Sequence, residues 1–255
     1  TKPQEFKNPE ALKEKGVIKH IGLSSHDPKT ALAAVNSGLI DVLLFSINPF
    51  FDLQPAGKDI DSLLALESYD KHFSNMDKDR QELYETCQRL GVGITVMKAF
   101  SGGALLSAER SPAHVALTPV QCIHYALTRP SVSSVMCGAF SVKELEECVA
   151  YEDASDVEKD YAEAFSKMPK ITWQGSCMYC GHCAPCPVGI DVANVTKFLD
   201  LCVPGKDVPE TVREHYMALP HRASECIACG ACESRCPFQV KIRENMKKAA
   251  EVFGS

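Results

Sequence analysis

Several features are scarce in this 255-residue chain. No apolar run approaches the roughly 18 residues that a membrane-crossing helix needs, so no bilayer partner of that kind is expected. Excess positive charge is missing too: 27 basic residues face 33 acidic ones, a net charge of −6. Nucleic acids and anionic membranes are held by clustered Lys and Arg, and neither is expected as a partner. No G-x-G-x-x-G follows the first predicted strand, which disfavours a Rossmann domain. Aromatic residues make up only 7%, with Trp173 the single tryptophan. Nothing resembles a signal peptide. Cysteine, by contrast, is abundant at 13 residues. Without an export signal, that thiol content is expected in a reducing cytoplasm, where a secreted disulfide framework does not form.

Two runs hold most of these cysteines. Cys177, Cys180, Cys183 and Cys186 stand in C-M-Y-C-G-H-C-A-P-C-P; Cys226, Cys229, Cys232 and Cys236 stand in C-I-A-C-G-A-C-E-S-R-C-P. The second run has the bacterial ferredoxin spacing, and the first differs by one residue fewer in its last gap. Zinc is satisfied by two CxxC pairs and requires neither the third CxxC step nor the Cys-Pro. Two 4Fe–4S clusters are therefore the favoured cofactors. In two-cluster ferredoxins the Cys-Pro cysteine ligates the other cluster, so the resemblance implies crossed sets. Cys177, Cys180, Cys183 and Cys236 take one cluster, and Cys226, Cys229, Cys232 and Cys186 take the second. His182 is expected to donate a hydrogen bond near sulfur.

The charge is uneven. From Cys177 onward nine acidic residues balance nine basic ones, leaving 24 acidic and 18 basic residues in the first part. That part alternates strands and helices. Asn8-Pro9 opens a helix ended by Gly16, and a strand is predicted over 17–23. Asp27-Pro28 starts a helix that Gly38 stops. Strands follow at 41–47, 94–100 and 133–137, with helices at about 77–90, from Thr118-Pro119, and from Ser141, whose pairing with Glu144 reads as a capping box. The strands are almost continuously apolar, as in parallel α/β architecture. Residues 50–76, with Phe50, Phe51, Tyr69, His72 and Phe73, form an unusually long connection, read either as a lid or as an insertion with its own small core. A helix from the Ser155–Glu158 capping box is predicted to bury Val157, Tyr161 and Phe165. Beyond the cysteines, residues 177–255 hold few large apolar side chains, so metal is expected to stabilise that segment. Cys87, Cys148 and Cys202 are expected on buried helix faces, and Cys122 and Cys137 as buried thiols.

G-V-I-K-H-I-G-L-S-S-H (16–26), D-V-L-L-F-S-I-N-P (41–49), G-I-T-V-M-K-A-F-S-G-G-A-L-L (93–106) and T-P-V-Q-C-I-H-Y-A-L through V-M-C-G-A-F-S-V-K-E-L-E-E (118–147) resemble the aldo/keto reductase family. With its tail, the chain is similar to the branch of that family bearing a C-terminal 4Fe–4S domain. The resemblance implies the C-terminal half of a (β/α)8 TIM barrel, strands five to eight, over residues 1–154. A helix and linker follow over 155–176, then a small, mostly α-helical two-cluster ferredoxin-like domain over 177–255. The family's catalytic Asp, Tyr, Lys and His belong to the first four strands, which this sequence does not contain, so no catalytic residue is assigned. The chain is read as a fragment of a longer protein, or as one whose missing half barrel another chain supplies.

What carries over is an NAD(P)H site. Ser24 and Ser25 match the pair that holds the carboxamide, with Ser25 in place of Asn, and Leu44 stands where a supporting Gln is usual. Ser101, Gly102 and Gly103 match the loop over the pyrophosphate, and the Gly pair would let backbone N–H groups approach an anion. Lys98 ends the strand before that loop. Gly138 and Ser141 open the adenosine-phosphate clamp, in which Glu144 and Cys148 replace the family's Arg and Asn. His26 is read as facing substrate or cofactor, or as a rim histidine. Hydride transfer moves two electrons and a 4Fe–4S centre one, so exchange between them calls for a flavin or a radical-tolerant substrate. No flavin motif is readable, and a flavin stays open. The expected function is NAD(P)-linked oxidation or reduction of a small carbonyl or related substrate, coupled to the clusters. The alternative is an electron-transfer or scaffold module that docks a redox partner.

Overall fold

The computed structural model describes residues 8–69, 73–166, 171–172, 175–202 and 207–254; His72 and Trp173 lie outside these. The first element is helix α1, Pro9–Glu14, whose Asn8 side chain accepts from Ala11 N. The chain then wraps back, with Val17 and Ile18 N–H bonded to the Leu12 carbonyl, so the predicted strand at 17–23 forms late. Strand β1 is Gly22–Ser25. Helix α2, Pro28–Asn36, is capped by Asp27, and strand β2 is Val42–Ser46.

The long connection carries helix α3 (Ile60–Leu64), two short 3-10 turns and strand β3 (Phe73–Ser74). Phe50, Phe51, Leu53, Leu63 and Tyr69 are buried, and Phe50 meets Tyr69 and Phe165 edge to face. The connection does not carry a small core of its own: Phe50, Leu53 and Tyr69 belong to the main core.

Helix α4, Lys78–Leu90, is capped by Asp77 and ends at Gly91 (φ 69°). It buries Leu83, Tyr84 and Cys87, while Leu90 falls outside the inner face and is exposed. Strand β4 is Gly93–Met97. It stops three residues before the predicted end because Lys98 takes φ 62°, which breaks the ladder. Helix α5, Pro119–Leu127, has a complete capping box between Thr118 and Gln121. Cys122, Ile123 and Tyr125 are its buried residues, with Val120 and Leu127 half-buried. Strand β5 is Val132–Val135 and helix α6 is Val142–Val149. Ser141 accepts from Glu144 N as expected, but the Glu144 carboxylate reaches Phe140 N instead of closing a box.

The helix expected to bury Val157, Tyr161 and Phe165 is two short ones, α7 (Asp156–Lys159) and α8 (Ala162–Ser166). Asp160 leaves the helical region, and its carboxylate accepts from Ala162 N, restarting the chain. Tyr161 and Phe165 are buried, while Val157, on the first piece, is 84% exposed. Strand β6, Ile171–Thr172, pairs with β3.

Strands β1, β2, β4 and β5 form one parallel sheet in that order. Each step joins neighbours in the same direction, so right-handed crossovers place the connecting helices on one face. On that face Leu43, Phe45, Ile94 and Val96 are fully buried. The opposite face carries the in-register row Ser24, Leu44, Thr95, Ser134. Ser24 and Ser134 are exposed and the two between them half-buried, so this face is open.

Four further helices are α9 (Val192–Asp200), α10 (Glu210–Met217), α11 (Ala231–Arg235) and α12 (Ile242–Phe253). Here an expectation fails. Residues 177–255 bury Met178, Ile190, Val192, Val195, Phe198, Val212, Tyr216, Phe238, Val240, Ile242, Met246 and Phe253, an apolar core continuous with that of the sheet. Tyr216 and Phe253 stack at 3.9 Å. Among the described residues no helix is long and apolar enough to cross a membrane.

Candidate metal centres

The two cysteine runs are copies of one backbone design. Tyr179 and Ala228, each two residues after the first cysteine of its run, have φ of 55° and 53°. Gly181 and Gly230, each after the second cysteine, have φ of 84° and 77°. Gly189 and Gln239, each three residues after the Cys-Pro cysteine, have φ of 80° and 53°, and their N–H groups return to the carbonyls of Cys186 and Cys236. Each copy then enters a helix at matching positions, with Val192 N bonded to Ile190 O and Ile242 N to Val240 O. The helices so entered, α9 and α12, pack against each other.

Two copies facing each other bring the cysteines into two cavities. Cys177, Cys180, Cys183 and Cys236 line one, with Met178, Phe238 and Ile242. Cys226, Cys229, Cys232 and Cys186 line the other, with Val188, Ile190 and Met246. Arg235 ties the copies together, its Nη2 donating to the carbonyls of Cys183 (2.5 Å) and Pro185 (2.8 Å). Arg243 bridges to Glu233 at 2.7 Å on the outside of the second loop.

Among the described residues no group of three His, Cys, Asp or Glu converges closely enough to hold a single metal ion. A tetrahedral zinc site draws its donors to about 2.0–2.3 Å from one centre. The four cysteines of each set line one cavity with apolar neighbours instead of converging on one point. Burial pushes the Cys180 thiol up to about 11 and the Cys183 thiol up to about 12. Their thiolates at neutral pH therefore depend on compensating positive charge, which a bound metal would supply. His182 lines the first cavity and its backbone N–H donates to the Cys180 thiol, while its side-chain Nε2 lies 3.2 Å from Asp160 Oδ2, joining the first loop to the segment before α8.

Sequence reasoning missed a buried polar chain that runs from the sheet to the first cysteine loop. Asp52, fully buried, accepts from Tyr84 Oη at 2.6 Å and Tyr125 Oη at 2.8 Å, and lies 3.6 Å from Arg80. Arg129 lies over the Tyr125 ring at 4.5 Å and the Tyr179 ring at 5.0 Å. Its Nη2 donates to the Met178 carbonyl at 2.6 Å. Asp52 sits in a stretch that reads as a loop, and Arg129 beside a proline after α5; neither position carries a local signal of burial.

The residues expected to hold a nucleotide lie at or beyond the carboxyl ends of three parallel strands: Ser24 and Ser25 as the last two residues of β1, Lys98, Ser101, Gly102 and Gly103 after β4, Gly138 and Ser141 after β5. Topology brings them to one edge of the sheet. Their polar groups are partly committed. The Ser25 hydroxyl bonds both N–H and carbonyl of Asp27. The N–H groups of Ser101, Gly103 and Ala104 are taken by carbonyls of the same loop, so the loop does not present them to an anion. The Gly103 carbonyl accepts from Arg110, and Ser141 caps α6. His26 is half-buried beside this edge with its Nδ1 unpartnered, and burial together with Lys98 and Arg80 lowers its pKa.

Residues 220–241 match the 4Fe-4S binding domain family. The match spans the second cysteine run and points to iron–sulfur electron transfer there; it does not extend to the α/β part. No curated protein and no solved structure matches the chain.

Proposed function

We propose that this chain is the iron–sulfur half of an oxidoreductase, carrying two 4Fe–4S clusters. The observation that carries the reading is the pair of cavities, each lined by three cysteines of one run and the last cysteine of the other. Cys177, Cys180, Cys183 and Cys236 would hold one cluster; Cys226, Cys229, Cys232 and Cys186 the second. Such centres exchange single electrons. The protein supplies apolar walls, a short path between the two sites through the shared loops, and a buried connection to the sheet.

The α/β part supports a barrel reading. Its four parallel strands run in chain order, their helices share one face, and the face that would line a barrel is open. We read residues 1–154 as the half barrel of an aldo/keto reductase-like enzyme, 155–176 as connector and 177–255 as the ferredoxin-like domain. The complementary half barrel, from a longer form of this chain or from another chain, would bring the catalytic groups and complete an NAD(P)H site at the carboxyl edge. The substrate would be a small carbonyl or related compound, and the compartment a reducing cytoplasm. The internally bonded loop after β4 favours a second reading, a module that docks a redox partner and relays electrons without binding nucleotide itself.

Anaerobic iron and acid-labile sulfide analysis, with EPR of the reduced protein, tests the core of this. About eight irons and eight sulfides per chain are expected from two cubanes. Stoichiometric zinc without sulfide overturns it.

A further inference from the structure

The peptide unit between Met178 and Tyr179 has both ends engaged. Its N–H donates to Cys177 Sγ at 3.4 Å. Its carbonyl accepts from Arg129 Nη2 at 2.6 Å and from Tyr161 Oη at 2.7 Å. Tyr179 holds φ 55°, an unfavourable left-handed conformation for a side chain of its size, and because a trans peptide is planar its carbonyl points away from the N–H that meets sulfur. Arg129 is 1% exposed, and among the described residues no carboxylate lies within ion-pair distance of it. A buried cation in that position needs anionic compensation. The Asp52 carboxylate acts on Arg129 from beyond ion-pair distance and is shared with Arg80; on the reading proposed above, the further anion is the cluster held by Cys177, Cys180, Cys183 and Cys236, which with its four thiolates carries net negative charge.

We propose that Arg129 sets the reduction potential of that cluster, acting through the Met178–Tyr179 peptide. A cation at the carbonyl polarises the peptide and strengthens its N–H···S bond, since hydrogen bonds in a chain reinforce one another. Both the hydrogen bond to sulfur and the buried positive charge favour the reduced, more negative cluster and raise its potential. The second copy lacks the device. Ala228 adopts the matching turn, but among the described residues no side chain donates to the Ile227 carbonyl, and Ile227 is exposed. The two clusters are thereby made unequal, with the one nearer the α/β part the better electron acceptor. Arg129 is a positioning and tuning residue and touches no reacting atom.

The test is a mediated redox titration of the full-length, cluster-loaded protein, followed by EPR, for wild type, Arg129→Met, Arg129→Lys and Tyr161→Phe. The two midpoints are assigned with Cys229→Ser, which alters a ligand of the other cluster. Arg129→Met is expected to lower one midpoint by at least a tenfold change in the reduction equilibrium, about 59 mV for a one-electron couple. The other midpoint stays in place. Arg129→Lys, which keeps the charge, should lose less than half as much; a merely structural role would make both variants alike. Tyr161→Phe removes one donor to the same carbonyl with little change of shape, and should shift the same midpoint in the same direction. It remains informative if Arg129→Met fails to fold. An unmoved midpoint in Tyr161→Phe together with unmoved or equally moved midpoints in the two Arg129 variants overturns the proposal. Failure of the underlying reading looks different: wild-type protein would lack sulfide or show no cluster signal at all.

Discussion

Asp52 shows how one buried group binds distant parts of the chain. It lies in a 3-10 turn after β2 and gathers Tyr84 of α4, Tyr125 of α5 and Arg80 of α4 around one carboxylate. Asp52→Ala leaves the Arg80 guanidinium, 1% exposed, without its ion pair. Breaking one side of a buried pair costs about 3–5 kcal/mol, a large share of a typical stability of 5–15 kcal/mol. Urea denaturation is the measurement, and a loss below about 1 kcal/mol, the value of a surface pair, would contradict the reading. His124 contributes a pH dependence. Burial, then Lys159 and Arg129, lower its pKa from the ordinary 6.5, and its Nδ1 lies 3.3 Å from Tyr151 Oη. The unfolded chain therefore takes up the proton first as pH falls. The stability tied to neutral His124 is fully present above about 6.5 and is lost progressively below that value. His124→Gln should flatten the decline between neutral and mildly acidic pH, seen as urea midpoints that converge with wild type on the acid side.

Among the elements, α9 and α12 carry the architecture of the cysteine-bearing half. Each is entered from a Cys-Pro turn and packs against the other, with Val192 and Val195 of α9 and Ile242, Met246 and Ala249 of α12 buried. Because this core exists, the helices do not depend on metal alone. In cluster-free protein, hydrogen exchange is expected to remain slow in α12 and become fast in the loops 177–186 and 226–236. Fast exchange throughout α12 would restore the metal-dependent picture. Phe253→Ala, which removes the ring stacked on Tyr216, should cost about 3–5 kcal/mol and loosen α10 and α12 first. Helix α6 is the contrary case. Val142, Leu145 and Val149 are exposed, and Phe140 before it is 100% exposed, so its apolar side has no cover within the described residues.

Taken entire, the molecule has one well-packed half and one open sheet. The bare face of Ser24, Leu44, Thr95 and Ser134, the outer edges of β1 and β5, and the uncovered side of α6 all lie on the α/β part. Unpaired edges and apolar patches of this kind promote association. The 255-residue chain is expected to self-associate, with a weight-average mass in sedimentation that rises with concentration. It is also expected to show no NAD(P)H consumption with aldehydes, ketones or quinones under anaerobic conditions. General acid–base groups contribute about 10²- to 10⁴-fold, and no tyrosine stands at a strand end to serve: Tyr84 and Tyr125 are buried on Asp52, and Tyr161 on Met178. Turnover by the cluster-loaded chain would reveal a catalytic group in residues 1–176 outside this account.

The cysteine spacing, the strand–helix alternation and most helix starts were readable directly, because each is set by neighbours a few residues apart. Asp27, Asp77, Thr118 and Ser141 cap the helices that follow them through their own side chains, whatever the rest of the chain does. Strand ends were less readable, since the Lys98 conformation that stops β4 is fixed partly by Asn48, which donates to the Lys98 carbonyl from 50 residues away. Helix α7 ended early because the Asp160 carboxylate found Ala162 N, one of two local solutions open to that sequence. The apolar stripe of the last helix, Ile242, Met246, Ala249 and Phe253, was readable, but the size of the core of residues 177–255 was not, because its side chains are spaced singly along helices and loops and gather only when these pack. The crossed cysteine sets were read from the ferredoxin spacing, but the cavities they line form only because the two copies of the backbone repeat, about 50 residues apart, face each other. Tertiary structure alone placed Arg129 on the Met178 carbonyl, because burial of a charge is a property of everything around it and not of its own segment.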